Sequence, residues 1–95
     1  MISAYTTAFN FEHMNMPLKD ALSNWFVYCD EVVISTIDKD REEAEKQVAD
    51  FSLANKIKIV SLDIDTDDLF WDGKLKNNGL KNCSHDVVFQ IDLDE

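Results

Sequence analysis

From Val32 to Ile37 the chain reads Val-Val-Ile-Ser-Thr-Ile, an almost unbroken run of β-branched residues. Such side chains are stiff at χ1 and suit a pleated strand. A strand with one wet face alternates apolar and polar residues. This one does not, so both of its faces must be covered, as they are in a central strand of a parallel sheet flanked by helices. The rest of the sequence has to supply that cover.

The flanking segments read accordingly. Ile2 to Phe11, rich in β-branched and aromatic residues, predicts a first strand running into a loop over Asn10–Met16. Pro17 suits the first turn of a helix, and Leu18, Leu22, Trp25, Phe26 and Cys29 follow along one helical face. After the central run, Asp38-Lys39-Asp40 predicts a turn. Asp40 and Glu43 have capping-box spacing, and Ala44, Val48 and Phe51 mark a second helix to about Ala54. Ile57, Ile59, Val60 and Leu62 predict a third strand. An acidic loop over Asp63–Asp68, the pair Phe70-Trp71, a third helix near Lys74–Asn82 and a fourth strand over Val87–Ile91 complete the order. Alternation of this kind predicts one α/β domain over residues 1–95: a three-layer parallel sheet of about four strands, with right-handed crossovers and helices on both faces.

Composition narrows the function. A chain of 95 residues leaves roughly 10,000 Å² to bury on folding, enough for one core without staples. Its two Gly and one Pro exclude collagenous and low-complexity classes. The net charge of −10 repels phosphate backbones and anionic lipid, against nucleic-acid or membrane-surface binding. Cys29 and Cys83 stand far apart with no Cys-x-x-Cys, which predicts two buried thiols in a reducing, cytoplasmic compartment. The N-terminus carries no basic, apolar leader, and no stretch has the length of a membrane span.

In a parallel α/β sheet the carboxyl ends of the strands form one edge, where ligands bind. Here that edge collects Thr7, Phe9 and Asn10 after the first strand and Thr36, Asp38 and Asp40 after the second. Asp63, Asp65, Asp67 and Asp68 follow the third, and Asp92, Asp94 and Glu95 the fourth. Converging carboxylates need a cation or ample solvent, and Mg²⁺ or Mn²⁺ takes one or two of them together with substrate phosphates. Loop acids that simply face water are the simpler account of Asp63–Asp68. Asp-x-Asp occurs four times among thirteen Asp, where about two are expected by chance, so placement matters more than the motif. Among these pairs only Asp92 and Asp94 are read as directly following a buried apolar strand.

Sharper motifs fail. Asp63-Ile-Asp-Thr-Asp-Asp begins like a calcium loop, but Asp68 stands where Gly is required and Lys74 where a bidentate Glu is required. A receiver domain needs acids after the first strand, and Thr-Thr-Ala-Phe-Asn stands there. Neither G-x-x-x-x-G-K-[ST] nor G-x-G-x-x-G is present. His13 and His85 lack partners at metal spacing.

The segment Trp25-Phe-Val-Tyr-Cys-Asp-Glu-Val-Val-Ile-Ser resembles the junction of first helix and second strand in family 2-like GT-A glycosyltransferases. Asn10 followed by Glu12 is similar to the Asn-Glu that ends their first strand. Gly73-Lys-Leu-Lys-Asn-Asn-Gly-Leu and Asp86-Val-Val-Phe-Gln-Ile-Asp-Leu-Asp-Glu are similar to the segment that leads into their metal-binding D-x-D. The four pieces span nearly the whole chain in order.

The resemblance implies a Rossmann-like nucleotide-diphosphosugar site. Asp92 and Asp94 would hold Mn²⁺ or Mg²⁺ against the diphosphate, and Lys76 and Asn77 would lie near the pyrophosphate or sugar. Thr7, Phe9 and Asn10, with Thr36, Asp38 and Asp40, would frame base and ribose. There are two departures. Ser35-Thr36-Ile37-Asp38-Lys39-Asp40 replaces the usual Asp-Asp-Gly-Ser-type turn, and the sequence stops one residue past Asp94, before the family's acceptor half. The expectation is therefore the donor-binding portion of a metal-dependent glycosyltransferase, inactive alone, whose uncovered surface a homodimer or a missing C-terminal half would cover. Two alternatives stand beside it: a non-catalytic α/β interaction module, and a different Mg²⁺-dependent nucleotide or phosphate enzyme.

Overall fold

A computed structural model of the protein describes residues 1–8, 29–49, 56–64 and 67–90. The helix expected from Pro17 to Cys29 (all but Cys29 itself), Phe9, Asn10, the end of the second predicted helix, and Asp92 and Asp94 lie outside the described residues. Four strands form one parallel sheet: β1 (Ile2–Thr7), β2 (Glu31–Ile37), β3 (Ile57–Leu62) and β4 (Val87–Gln90), in the order β3-β2-β1-β4. Two helices are described, α1 (Arg41–Val48) and α2 (Trp71–Lys81). The parallel α/β class read from the sequence is the class observed.

β2 is an inner strand, and every residue from Val32 to Ile37 is buried. On one face Val32 and Ile34 join Ala4, Ala8, Cys29 and Val48 of α1, with Ile2, Ile57 and Ile59 packed alongside. The other face carries Val33, Ser35 and Ile37 and receives α2. There the Ser35 hydroxyl donates to the Leu75 carbonyl at 2.6 Å. Gly79 lies so close to the sheet that a Cβ on it would stand 3.0 Å from Tyr5 Cδ2 and 3.4 Å from Ser35 Cβ. Small residues on strand and helix are what permit this approach.

The amino edge of the sheet is stitched by Asp30 and Glu31. The Ile2 amide donates to Asp30 Oδ2 at 2.7 Å, and the Asp30 amide to the Ile2 carbonyl at 2.8 Å. Glu31 accepts from the Ser3 hydroxyl (2.9 Å), the Ser84 amide (2.7 Å) and the Ser84 hydroxyl (2.9 Å). One carboxylate thus ties together the start of β2, the start of β1 and the lead-in to β4. Partial burial would raise its pKa. The three donors, with the neighbouring His85, favour the ionised form and hold it below its ordinary value.

Two local expectations need correction. Asp40 and Glu43 do not form a capping box. Asp38–Asp40 is a 3₁₀ turn, which leaves Asp40 with φ −101° and ψ −4° rather than the extended backbone of a capping residue, and its side chain makes no cap bond. Glu43 instead accepts from the Gln47 amide at 3.2 Å, and Arg41 ties α1 to β3 through Ser61 Oγ and the Ile59 carbonyl. The third predicted helix starts at Trp71, not near Lys74, because Asp68 organises its entry. Asp68 Oδ1 accepts the Phe70 amide (2.8 Å), its carbonyl accepts the Trp71 amide (3.2 Å), and Oδ2 pairs with Lys74 (2.7 Å). The Lys74 contact, then the Phe70 amide, holds the Asp68 carboxyl below its ordinary value. Neither cysteine is in a disulfide; Cys29 is buried and Cys83 half-buried, and burial raises both thiols.

Replacing Glu31 by Ala leaves three donors without their shared acceptor. The half-buried site should lose about 1–2 kcal/mol in urea unfolding at pH 7. Because the folded pKa is the lower one, this contribution is fully present above about pH 4.3 and disappears as the pH falls through the depressed folded value. A variant whose stability deficit is the same at pH 7 and at low pH would contradict the assignment. The two helical glycines should respond with opposite sign. Gly73 has nothing within 4 Å of an added Cβ, so Gly73→Ala should gain about 0.5–1 kcal/mol. Gly79→Ala drives a methyl into Tyr5 and Ser35 and should lose stability despite the same propensity gain, as thermal melts of the pair would read.

Candidate functional site

The strand order itself singles out an edge. β1 leads to β2 and then β3 in one direction, after which the chain crosses back over the sheet and lays β4 on the other side of β1. The direction therefore reverses between β1 and β4, and in such sheets ligands settle beside the reversal, at the carboxyl ends. Gln90, the last described residue, pairs with Tyr5, while Thr7 pairs with Ser35.

Along this edge a cleft of ≈ 370 Å³ is lined by Asp38, Lys39, Asp63 and Ile64. It lies where β2 and β3 end, with Ile37 and Leu62 paired just below. Asp38, Lys39 and Asp63 are exposed, so their charges face water or a ligand. Asp38 is a sequence-predicted site residue; Lys39, Asp63 and Ile64 were not assigned to the site. Asp63 is among the acids that the sequence places on this edge after the third strand, where facing water was the simpler account of it. Ile64 and Lys39 carry no signal that could have found them.

The other predicted residues are dispersed. Thr7 ends β1 half-buried, and Asp40, also half-buried, does not line the cleft. Thr36 is wholly buried, so its hydroxyl lies beneath the edge and not on the cleft wall. Among the described residues, Thr36 Oγ1 and Thr6 Oγ1 are buried without a hydrogen-bond partner, two unmet polar groups near the ends of neighbouring strands. Lys76 pairs with Asp72 at 3.2 Å, one helical turn back. The bond from Ser35 to the Leu75 carbonyl sets the height of this part of α2. Ser35 is three residues short of Asp38, about 10 Å along the strand. Lys76 and the exposed Asn77 therefore sit part-way down α2, away from the cleft.

Among the described residues no group of three or more His, Cys, Asp or Glu side chains could hold a metal ion. Asp38 and Asp63 are two hard oxygen donors at one cleft. A Mg²⁺-type ion bound mainly through phosphates needs no more than that number.

No family model matches the sequence, and no curated protein matches it. A solved structure does resemble it: 4-diphosphocytidyl-2C-methyl-D-erythritol synthase from Anaerococcus prevotii, with a TM-score of 0.65 over 97% of this chain at 16% identity. That likeness establishes the fold. It is a Rossmann-like parallel α/β fold, and the chain spans 42% of the synthase's length. The likeness shows the fold and not a family, so the GT-A glycosyltransferase reading rests on the sequence resemblance alone. Among the described residues no helix is long and apolar enough to cross a membrane.

Proposed function

We propose that the carboxyl edge binds a nucleoside-diphosphate group, and that the chain is the donor-binding portion of a metal-dependent nucleotide-sugar transferase. The observation that carries this reading is the cleft of Asp38, Lys39, Asp63 and Ile64 at the carboxyl ends of β2 and β3, on the same edge as the reversal of strand order between β1 and β4. Support comes from two further sides. The Anaerococcus synthase of the same fold is named for a diphosphocytidyl compound, and the sequence pieces described above resemble GT-A enzymes.

In this reading base and ribose lie over the ends of β1 and β2, against Thr7, Asp38 and Asp40, and Lys39 offers a cation beside the cleft. Phe9, Asn10, Lys76 and Asn77 remain assigned to the ligand by resemblance only. Lys76 reaches it only if the ligand extends over α2. Asp92 and Asp94 would hold Mn²⁺ or Mg²⁺, and the ion would neutralise charge on the departing nucleoside diphosphate. An ion between acids and phosphates also reconciles an acidic edge with an anionic ligand.

Calorimetric titration of UDP, CDP and GDP, with and without Mn²⁺, tests the reading. Binding should require the metal. It should weaken by at least about tenfold in Asp92→Asn/Asp94→Asn, equivalent to about 1.4 kcal/mol, and fall also in Asp38→Asn. A folded protein that binds none of the three nucleotides in the presence of Mn²⁺ would refute it.

A further inference from the structure

Apart from Met1, Leu69 and Phe70 are the most exposed large apolar side chains among the described residues, at 90% and 69%. The turn that carries them is firmly held without burying them. The Phe70 amide donates to Asp68 Oδ1 at 2.8 Å, its carbonyl accepts the Lys74 amide at 3.0 Å, and Lys74 Nζ pairs with Asp68 Oδ2 at 2.7 Å. An aromatic ring on a fixed backbone, left open to solvent, is a pre-organised contact surface.

Its position is on the ligand edge. α2 runs back against the strands: the Leu75 carbonyl is bonded to Ser35, and the Asn82 carbonyl accepts from Lys58 Nζ at 3.3 Å, near the amino end of β3. Phe70, five residues before Leu75, therefore stands about 7.5 Å beyond Ser35 toward the carboxyl edge. Asp38 stands about 10 Å beyond it. Thr7 pairs with Ser35 and so shares the face that α2 covers. Neither Leu69 nor Phe70 lines the cleft of Asp38 and Asp63. The ring is a platform beside that cleft, on the α2 side.

The charges around the ring select what can rest on it. Lys74 and Lys76 are engaged with Asp68 and Asp72, and the exposed Asp67 lies in the same turn. No spare cation of α2's first turns is left for a phosphate, so the platform suits an uncharged, flat group. In a nucleoside diphosphate that group is the base.

We propose that Phe70 stacks against the base of the nucleoside diphosphate, with Leu69 as its apolar flank. The proposal rests on the nucleotide-binding reading of the same edge and adds to it the side chain that receives the base. Stacking of this kind tolerates any base, because every base has a π-face.

The test is calorimetric titration, with Mn²⁺ present, of whichever of UDP, CDP and GDP the 95-residue chain binds most tightly. Phe70→Leu keeps an apolar side chain but removes the ring, and should weaken binding at least about fivefold. Phe70→Trp restores a flat face and should bind within about twofold of the native chain. Because the ring is exposed, thermal melts of both variants should match the native chain. Unchanged nucleotide binding in Phe70→Leu overturns the proposal and leaves the nucleotide reading standing. So does a loss that Phe70→Trp fails to recover, or one seen with a nucleotide sugar but not with its nucleoside diphosphate, since the ring then faces the sugar. A native chain that binds none of the three nucleotides refutes both.

Discussion

β2 can exist only as an inner strand. Val32, Val33, Ile34 and Ile37 alternate between its two faces and none is exposed, so strands must flank it on both edges and helices must press on both sides. That demand places β1 and β3 beside it, α1 over Val32 and Ile34, and α2 over Val33 and Ser35. A right-handed crossover from β2 to β3 and another from β3 back to β4 necessarily put their helices on opposite faces. The two-sided cover and the reversal of strand order are therefore one consequence of the same residues.

The ends of the sheet divide the work between them. At the amino edge Asp30 and Glu31 are consumed by amides and hydroxyls from β1 and the lead-in to β4, so their charge is spent on holding strands in place. At the carboxyl edge Asp38 and Asp63 are exposed around a cleft and make no ion pair among the described residues. Carboxylates of the same kind, Glu31 and Asp38 only seven residues apart in the chain, thus serve as strand ties at one end and line an open cleft at the other. Asp68 shows that an acidic loop need not be a ligand set: its oxygens are taken by the first turn of α2 and by Lys74.

The strands were legible because their signal is local and dense. Each β-branched run observed as a strand was apparent in the residues themselves. The start of α2 was not, because Asp68 secures it from outside the helix and because Gly73 and two charged neighbours dilute the apolar stripe. The capping box at Asp40 failed for a related reason. Spacing describes which side chains could meet, but the 3₁₀ turn over Asp38–Asp40 had already set the backbone. The candidate site was legible in part. Asp38 could be placed on the ligand edge by counting strands, whereas Lys76 and Asn77 could not be placed by motif order, since the bond between Ser35 and Leu75 decides how far down the sheet they lie.

Periodicity and β-branching in the sequence determined the parallel α/β class, the two-sided burial of β2 and the edge on which the acids gather, because each depends on short-range pattern. The tertiary structure decided which acids stay available. A carboxylate's role depends on the donors brought to it from distant segments, as Ser3 and Ser84 are brought to Glu31 and as none of the described residues is brought to Asp63. It also decided that β4 pairs with β1 and not with β3, because strand order follows from how crossovers pack and not from the order of residues along the chain.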